Sequence, residues 1–345
     1  MASPRIVLEG VSKLYGPHPQ RALRRLQATG DPGAGSSVGV SEVSLSIPQG
    51  QTFVLMGLSG SGKSTLLRLL NGLYRPTAGR VLVGGTDLAA LKRRQLVRFR
   101  RRTYSGMVFQ GFALLPYRTA LGNVAFGLEL QGVGRRERLE RAQQALALVG
   151  LADHASTFPA ELSGGMQQRL GLARALTLDG DILLMDEPFS ALDPITRREL
   201  QDELRRLQAR VKKTTVLVTH DLDEALKLGD RIAVLKGGRV QQVGTPEEIV
   251  TRPNNAYVAA FVAGVDRAAV LTASSIMTTP TTLPSAASAP AHQVRSDTPL
   301  SEVVRITAAD ARVLSVVGET GQLLGVITQQ DVLAALAQQP PAGGR

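Results

Sequence analysis

Gly57-Leu58-Ser59-Gly60-Ser61-Gly62-Lys63-Ser64-Thr65 is the run from which the rest of the chain can be placed. Gly57 and Gly62 flank four residues and lead into Lys63 and Ser64, the spacing of a phosphate-binding loop. Thr52-Phe53-Val54-Leu55-Met56 before it has strand length, and Leu66-Leu67-Arg68-Leu69-Leu70 after it continues as a helix. Gly57, Gly60 and Gly62 let the backbone curl so that its N–H groups converge on an anion. The helix N-terminus adds partial positive charge. Lys63 supplies a full charge for the β- and γ-phosphates, and Ser64 a hydroxyl for Mg²⁺. A plain Gly/Ser turn would need neither the strand nor the Lys-Ser-Thr. Gly57, Ser59, Gly60, Ser61, Gly62, Lys63, Ser64 and Thr65 are therefore expected to bind a nucleoside triphosphate.

The flanking sequence alternates strands and helices, which points to an α/β core. Residues 5–16 read as a first strand and turn, residues 19–28 as a short helix, and residues 29–39 as a Gly/Ser/Pro-rich loop. Val43, Leu45 and Ile47 alternate with Ser44, Ser46 and Pro48, as in a half-exposed strand. Residues 80–83 are a further strand. From 121 to 161 the spacing turns helical, with Leu139, Ala142, Leu146 and Val149 on one face and Gly150 as the stop. Residues 182–185 and 215–218 are apolar runs suited to buried parallel strands, with a helix over 194–209 between them. Residues 232–235 and 240–243 form a hairpin across Gly237-Gly238.

Two further constellations carry chemistry. Ile182-Leu183-Leu184-Met185 ends in Asp186 and Glu187. An Asp placed there holds Mg²⁺ in phosphate-loop enzymes, and Glu187 can take a proton from an attacking water. His220 ends the run 216–219, on the carboxyl edge of the sheet where ligands bind. Leu162-Ser163-Gly164-Gly165 precedes a helix over 167–176, a second N-terminal anion site. A monomer with one nucleotide has little use for two such sites, whereas a head-to-tail dimer would close one over the partner's γ-phosphate.

Composition narrows the class. The chain has 345 residues, 43% of them hydrophobic, enough for about two domains. It has no Cys, which excludes disulfides and thiolate metal sites. Neither an N-terminal apolar signal nor a run of about 20 apolar residues is present, so a membrane role is expected to be peripheral. The formal charge is +11. Lys92-Arg93-Arg94 with Arg98, Arg100, Arg101 and Arg102 suits either a nucleic-acid or anionic-lipid surface, or a solvated helix face that buries Leu91, Leu96, Val97 and Phe99. Few aromatics interleave with these basic residues, which weakens the nucleic-acid version.

The set of motifs resembles an ATP-binding cassette (ABC) ATPase: the phosphate loop, Gln110 after Met107-Val108-Phe109, Leu162-Ser163-Gly164-Gly165, Asp186-Glu187, Ser190-Ala191-Leu192-Asp193 and His220. The resemblance implies a mostly parallel sheet core, an antiparallel β part and a helical subdomain. It implies ATP and Mg²⁺ as cofactors, with Ser64, Gln110 and Asp186 around the metal and Glu187, His220 and Gln110 in catalysis. It also implies that Tyr15 stacks on adenine, that Ser163, Gly164, Gly165 and Gln167 bind the partner's ATP, and that Asp193 lies at the dimer interface.

Residues 16–22 with the insertion after them, 112–116, 123–127, 221–225 and 261–266 further resemble the ATPase subunit of glycine betaine/proline betaine importers. That implies a homodimer holding two ATP on the cytoplasmic face of the plasma membrane, with a permease and an extracytoplasmic solute-binding protein as partners and no nucleic acid. The solute is then another subunit's choice, and the basic balance suits anionic lipid. A cassette ATPase acting on ribosomes or DNA is the alternative, but the paired cassettes or coiled-coil insertion usual there are missing.

Organisation follows. Residues 1–265 are read as the cassette, with the helical subdomain at about 111–165, residues 266–293 as a linker, and 294–345 as a small α+β tail. The tail resembles one cystathionine-β-synthase (CBS) repeat at Gly325-Val326-Ile327-Thr328 and Asp331. Strands are expected at 313–317 and 323–328, with Asp331 capping a helix over 332–336. The tail is either a modulator of transport or a remnant.

Overall fold

The computed structural model describes residues 4–109, 111–190, 192–278, 292–310, 312–318 and 320–337. Two compact units result, Met1–Val243 and Gly244–Arg345.

In the first unit the strands sort by their hydrophobic pattern. Thr52–Met56, Ile182–Asp186 and Thr214–Thr219, apolar in their middles, are buried along their whole length. They occupy the middle of a six-stranded sheet of order Arg239–Gly244, Arg231–Lys236, Thr52–Met56, Thr214–Thr219, Ile182–Asp186, Tyr104–Val108. Pairing is parallel from Arg231–Lys236 across to Tyr104–Val108. Fully buried strands of this kind need cover on both faces. The half-polar strands make a separate antiparallel sheet of order Ser37–Pro48, Pro4–Tyr15, Ala78–Val83, Thr86–Asp87. Val43, Leu45 and Ile47 are buried there and Ser44 and Ser46 exposed, as their alternation requires.

The helix Lys63–Leu70 lies between these sheets. Leu66, Leu67, Leu69 and Leu70 are buried in one cluster with Ile6, Leu8, Val43, Leu45 and Ile47 from the antiparallel sheet and Phe53, Leu55, Leu184 and Val216 from the parallel one. The phosphate loop is thus held at the junction of two sheets. The helices Ala120–Leu130, Arg135–Leu148 and Gly164–Leu176 form the helical part, with Val124, Leu128, Ala142, Leu146 and Leu170 buried. The basic helix runs Arg93–Thr103 and buries Leu96, with Leu91 and Phe99 packed against the core. Val97, expected inside, is exposed: it follows Leu96 by one residue and so points about 100° away. The charged side chains of the cluster are mostly in solvent.

The second unit begins with the helices Pro246–Thr251 and Ala256–Val262. The stretch read as a linker departs from that reading at its start. Arg267–Val270 and Ala273–Ile276 are helical, and Leu271 and Ala273 share a core with Val294, Leu300, Val303, Leu314, Val316, Ile327 and Val332. Backbone bonds fix this entry, from Leu300 N–H to Leu271 O at 2.7 Å and reciprocally between Thr278 and Val326. Residues 279–291 of the expected linker lie outside the described residues. The three-stranded sheet pairs His292–Arg295 parallel to Leu314–Val317, which is antiparallel to Leu323–Ile327. Asp331 does not cap a helix starting after it. The helix is Gln329–Ala337, and Thr328 and Asp331 form a reciprocal box. The Asp331 carboxylate accepts from Thr328 N–H at 2.8 Å and Oγ at 2.7 Å, and Thr328 Oγ accepts from Asp331 N–H at 3.2 Å.

Candidate nucleotide site

An open cleft of 640 Å³ lies over the phosphate loop, lined by Tyr15, Ser37, Val38, Gly39, Leu58, Ser59, Gly60, Ser61, Gly62, Lys63, Ser64, Thr65, Glu187 and His220. Its floor cannot be built with larger residues. Gly57 has φ +151°, and a Cβ there would clash with the Leu235 carbonyl oxygen. Gly62 has φ +100°, and a Cβ would clash with the Gly39 carbonyl. The turn Gly237-Gly238 braces the loop from behind, with Gly238 N–H donating to Ser61 O at 3.0 Å. The hairpin and the antiparallel sheet therefore both shape the loop.

Lys63 is buried, and its Nζ donates to the carbonyls of Gly57 at 2.7 Å and Leu58 at 3.0 Å. Burial pushes its pKa down, against the pull of the Glu187 and Asp186 carboxylates. Ser64 Oγ donates to Asp186 Oδ1 at 2.9 Å, which joins the loop to the end of the strand Ile182–Asp186. Burial raises the Asp186 pKa, and the Ser64 hydrogen bond opposes it. Ser61 Oγ is buried without a hydrogen-bond partner. A phosphate oxygen accepts from such a hydroxyl, so this orphaned group fits a phosphate ligand.

Glu187 sits in the left-handed region at φ +48°, fixed by its N–H donating to Val218 O at 3.0 Å. A non-glycine residue held there is a mark of functional sites. Its Oε2 lies 3.3 Å from His220 Nδ1. Behind His220, buried Glu224 meets the Thr219 hydroxyl and, at 3.4 Å, Gln201 Nε2. Burial raises the Glu224 pKa, opposed by its bond from Thr219.

Tyr15 lines the cleft from the antiparallel sheet, its hydroxyl 3.0 Å from Thr65 Oγ1 and its ring edge-on to Tyr74. The loop and Tyr15, Asp186, Glu187 and His220 therefore converge. Gln110 and Ala191 lie outside the described residues. Ser163, Gly164, Gly165, Gln167 and Asp193 do not line the cleft. Ser163 caps the helix Gly164–Leu176, accepting from Met166 N–H at 3.3 Å, and Gln167 Nε2 bonds the carbonyls of Pro159 and Leu162. Asp193 caps Pro194–Val211, and hydrogen bonds from Thr196 hold its carboxyl below the usual range. The sequence reading missed Ser37, Val38 and Gly39, placed at the end of a loop. Val38 and Val40 alternate with Ser37, Gly39 and Ser41 in the opposite phase to Val43, Leu45 and Ile47, and this short second alternation was the available signal.

This geometry defines a phosphate-loop ATPase with a second unit after it. Residues 40–190 match the family described as ABC transporter, and residues 273–338 match the CBS domain. The ProV ATP-binding protein of the Escherichia coli glycine betaine/proline betaine transport system is 50% identical over 277 residues, 79% of this chain and 69% of that protein. The trimethylamine N-oxide transport ATP-binding protein TmoW of Ruegeria pomeroyi is 43% identical over 344 residues, 97% of this chain and 98% of that protein. A dimeric ATP-binding cassette in a post-hydrolysis state bound to ADP and Pi superposes with a TM-score of 0.62 at 35% identity, covering 70% of this chain and 98% of that one. The chain belongs to the ATP-binding proteins of ABC transporters and carries a C-terminal CBS domain.

Proposed function

We propose that the chain hydrolyses ATP to drive import of glycine betaine, proline betaine or a related amine osmolyte such as trimethylamine N-oxide. The observation that carries this reading is the reach of the likeness. The relative named for trimethylamine N-oxide transport matches over 97% of this chain, which takes in the insertion after Tyr15 and the CBS tail as well as the ATPase core. The solute itself is chosen by a membrane permease and an extracytoplasmic binding protein. A cassette working on ribosomes or DNA would not account for likeness to transport ATP-binding proteins over nearly the whole length.

The residues divide the chemistry. The loop amides, Ser61 and Lys63 hold the phosphates of ATP. Ser64 and Asp186, already joined at 2.9 Å, are two oxygen ligands for Mg²⁺, a hard cation that takes one or two protein oxygens beside those of phosphate. When bound, it neutralises charge on the β- and γ-phosphates. Glu187 accepts the proton of the attacking water. His220, 3.3 Å from Glu187, orients that carboxylate and reaches toward the γ-phosphate. Tyr15 stacks on adenine.

Ser163, Gly164, Gly165 and Asp193 lie off the cleft of their own chain, which supports a head-to-tail homodimer that lays them over the partner's ATP. The family resemblance gives Gln110 a contact to Mg²⁺ and the sensing of the permease. Residues 112–123 form that docking surface. Phe112, Leu114 and Leu115 are half-buried, and Tyr117 is 93% exposed. Among the described residues no helix is long and apolar enough to cross a membrane. The chain works at the cytoplasmic face as a peripheral subunit, with its basic surface toward anionic lipid.

The test is reconstitution with the permease and binding protein in proteoliposomes. ATP-dependent uptake of labelled glycine betaine or trimethylamine N-oxide is the expected result. ATP hydrolysis with no uptake of any such amine would refute the solute class.

A further inference from the structure

The segment after residue 110 is held in a backbone conformation that its residues disfavour. Phe112 has φ +58° and Ala113 φ +48°. In this region Cβ crowds the following carbonyl oxygen, and two successive non-glycine residues stay there only where the surroundings hold them. The restraint comes from Arg174, on the helix Gly164–Leu176. Its Nη1 donates to Ala113 O at 2.7 Å and its Nη2 to Phe112 O at 3.2 Å. The planar guanidinium suits two acceptors at once.

Two more observations make this a specific device. On the same helix, three residues earlier, Gly171 presents no side chain, and a Cβ there would stand 3.8 Å from the Phe112 carbonyl oxygen. The helix therefore runs alongside the strained segment. Arg174 has no carboxylate in ion-pair distance among the described residues, and burial lowers its pKa. A partly buried cation without a carboxylate partner needs compensating dipoles, and the two strained carbonyls supply them. The segment is also tied at its far end. Leu115 N–H donates to Asn123 Oδ1 at 2.8 Å, and Asn123 Nδ2 bonds the carbonyls of Leu115, Arg118 and Thr119. Exposed Tyr117 lies between the ties.

We propose that Arg174 is the positioning residue that locks the strained backbone of Phe112 and Ala113 to the helix capped by Ser163, so that residues 111–118 and that helix move as one body. This rests on the reading of residues 112–123 as the permease-docking surface. A displacement imposed by the permease then reaches Ser163 through a single side chain, and closure at Ser163 moves the docking surface in return.

The test is hydrogen exchange by mass spectrometry on the full chain, with Arg174→Lys, Ala113→Gly and the double variant. A lysine is shorter and lacks the planar fork that sends Nη1 and Nη2 to separate carbonyls. Arg174→Lys should speed exchange of residues 111–118 by about tenfold, the loss of one charge-assisted hydrogen bond, while Ala120–Leu130 and Arg135–Leu148 keep wild-type rates. Ala113→Gly alone should leave the segment protected. The double variant should regain most of the protection, because glycine takes a positive φ without steric cost. Unchanged exchange in Arg174→Lys, faster exchange throughout the helical part, or no rescue by glycine would each overturn the lock.

With the permease in lipid nanodiscs, permease-stimulated ATPase should fall in Arg174→Lys and recover in the double variant, while ATPase of the chain alone persists. Undiminished stimulation would overturn the coupling. Failure of the wild-type chain to bind the permease would instead overturn the docking reading, with the exchange data still deciding the lock.

Discussion

Gly39→Ala adds one methyl group at a place where the structure leaves no room. The new carbon would lie 2.7 Å from Tyr15 Cε2, 2.9 Å from Thr65 Cγ2 and 3.1 Å from the Lys13 carbonyl oxygen. Favourable carbon contacts fall at about 3.5–4.0 Å. Gly39 is not in the left-handed region, so the cost is steric alone. The Lys13 carbonyl is backbone of a strand in which Lys13 pairs with Val40, and it yields less readily than a side chain. The Tyr15 ring and Thr65 must yield, and their mutual hydrogen bond at 3.0 Å is lost with them. Overpacking of this kind costs about 1–3 kcal/mol. With the proposed stacking of Tyr15 on adenine, a displaced ring weakens ATP binding by about tenfold, the lower end of base–aromatic stacking. Calorimetry with ATP and with inorganic tripolyphosphate separates the two effects. ATP should lose affinity, and tripolyphosphate, which has no base, should lose little. Equal losses for both ligands, or an unchanged ATP affinity, would refute the argument that Gly39 sets the position of Tyr15.

Glu187→Gln should retain ATP binding and lower turnover by at least about 10²-fold, the share of a general base; steady-state hydrolysis near the wild-type rate removes Glu187 from that role. Ser163→Arg, in the Glu187→Gln background, should abolish ATP-driven dimerisation in light scattering while ATP still binds; a dimer that survives contradicts the head-to-tail arrangement. Burial raises the Glu224 carboxyl above its ordinary 4.5, so the native state keeps a proton that the unfolded chain releases. Its contribution is complete at low pH and is lost as pH rises through the raised value. Glu224→Gln keeps one acceptor oxygen, for the Thr219 hydroxyl, without the charge, so its melting temperature should exceed that of the wild type at about pH 8 and approach it near pH 4. A gap independent of pH would show that ionisation of Glu224 plays no part.

Local features were legible without coordinates. Gly57, Gly62, Lys63 and Ser64 announce an anion loop because only that residue order meets the backbone and charge demands of phosphate. The uniformly apolar runs ending at Asp186 and His220 announce buried parallel strands with polar ends. Gly39 looked like any glycine in a Gly/Ser loop, because its importance comes from Tyr15 and Thr65, which approach from 24 and 26 residues away. Leu271 and Ala273 looked like the start of a linker, because their burial depends on a sheet formed after residue 291. Arg174 lies unremarked within the helix expected over 167–176, because its partners are carbonyls 61 and 62 residues earlier in the chain. The sequence alone determined the chemistry of the loop and the strands, which depends on neighbours along the chain. Which side chains share the cleft, which glycines cannot be replaced and what holds Phe112 and Ala113 follow from distances between elements, and the order of residues does not contain those.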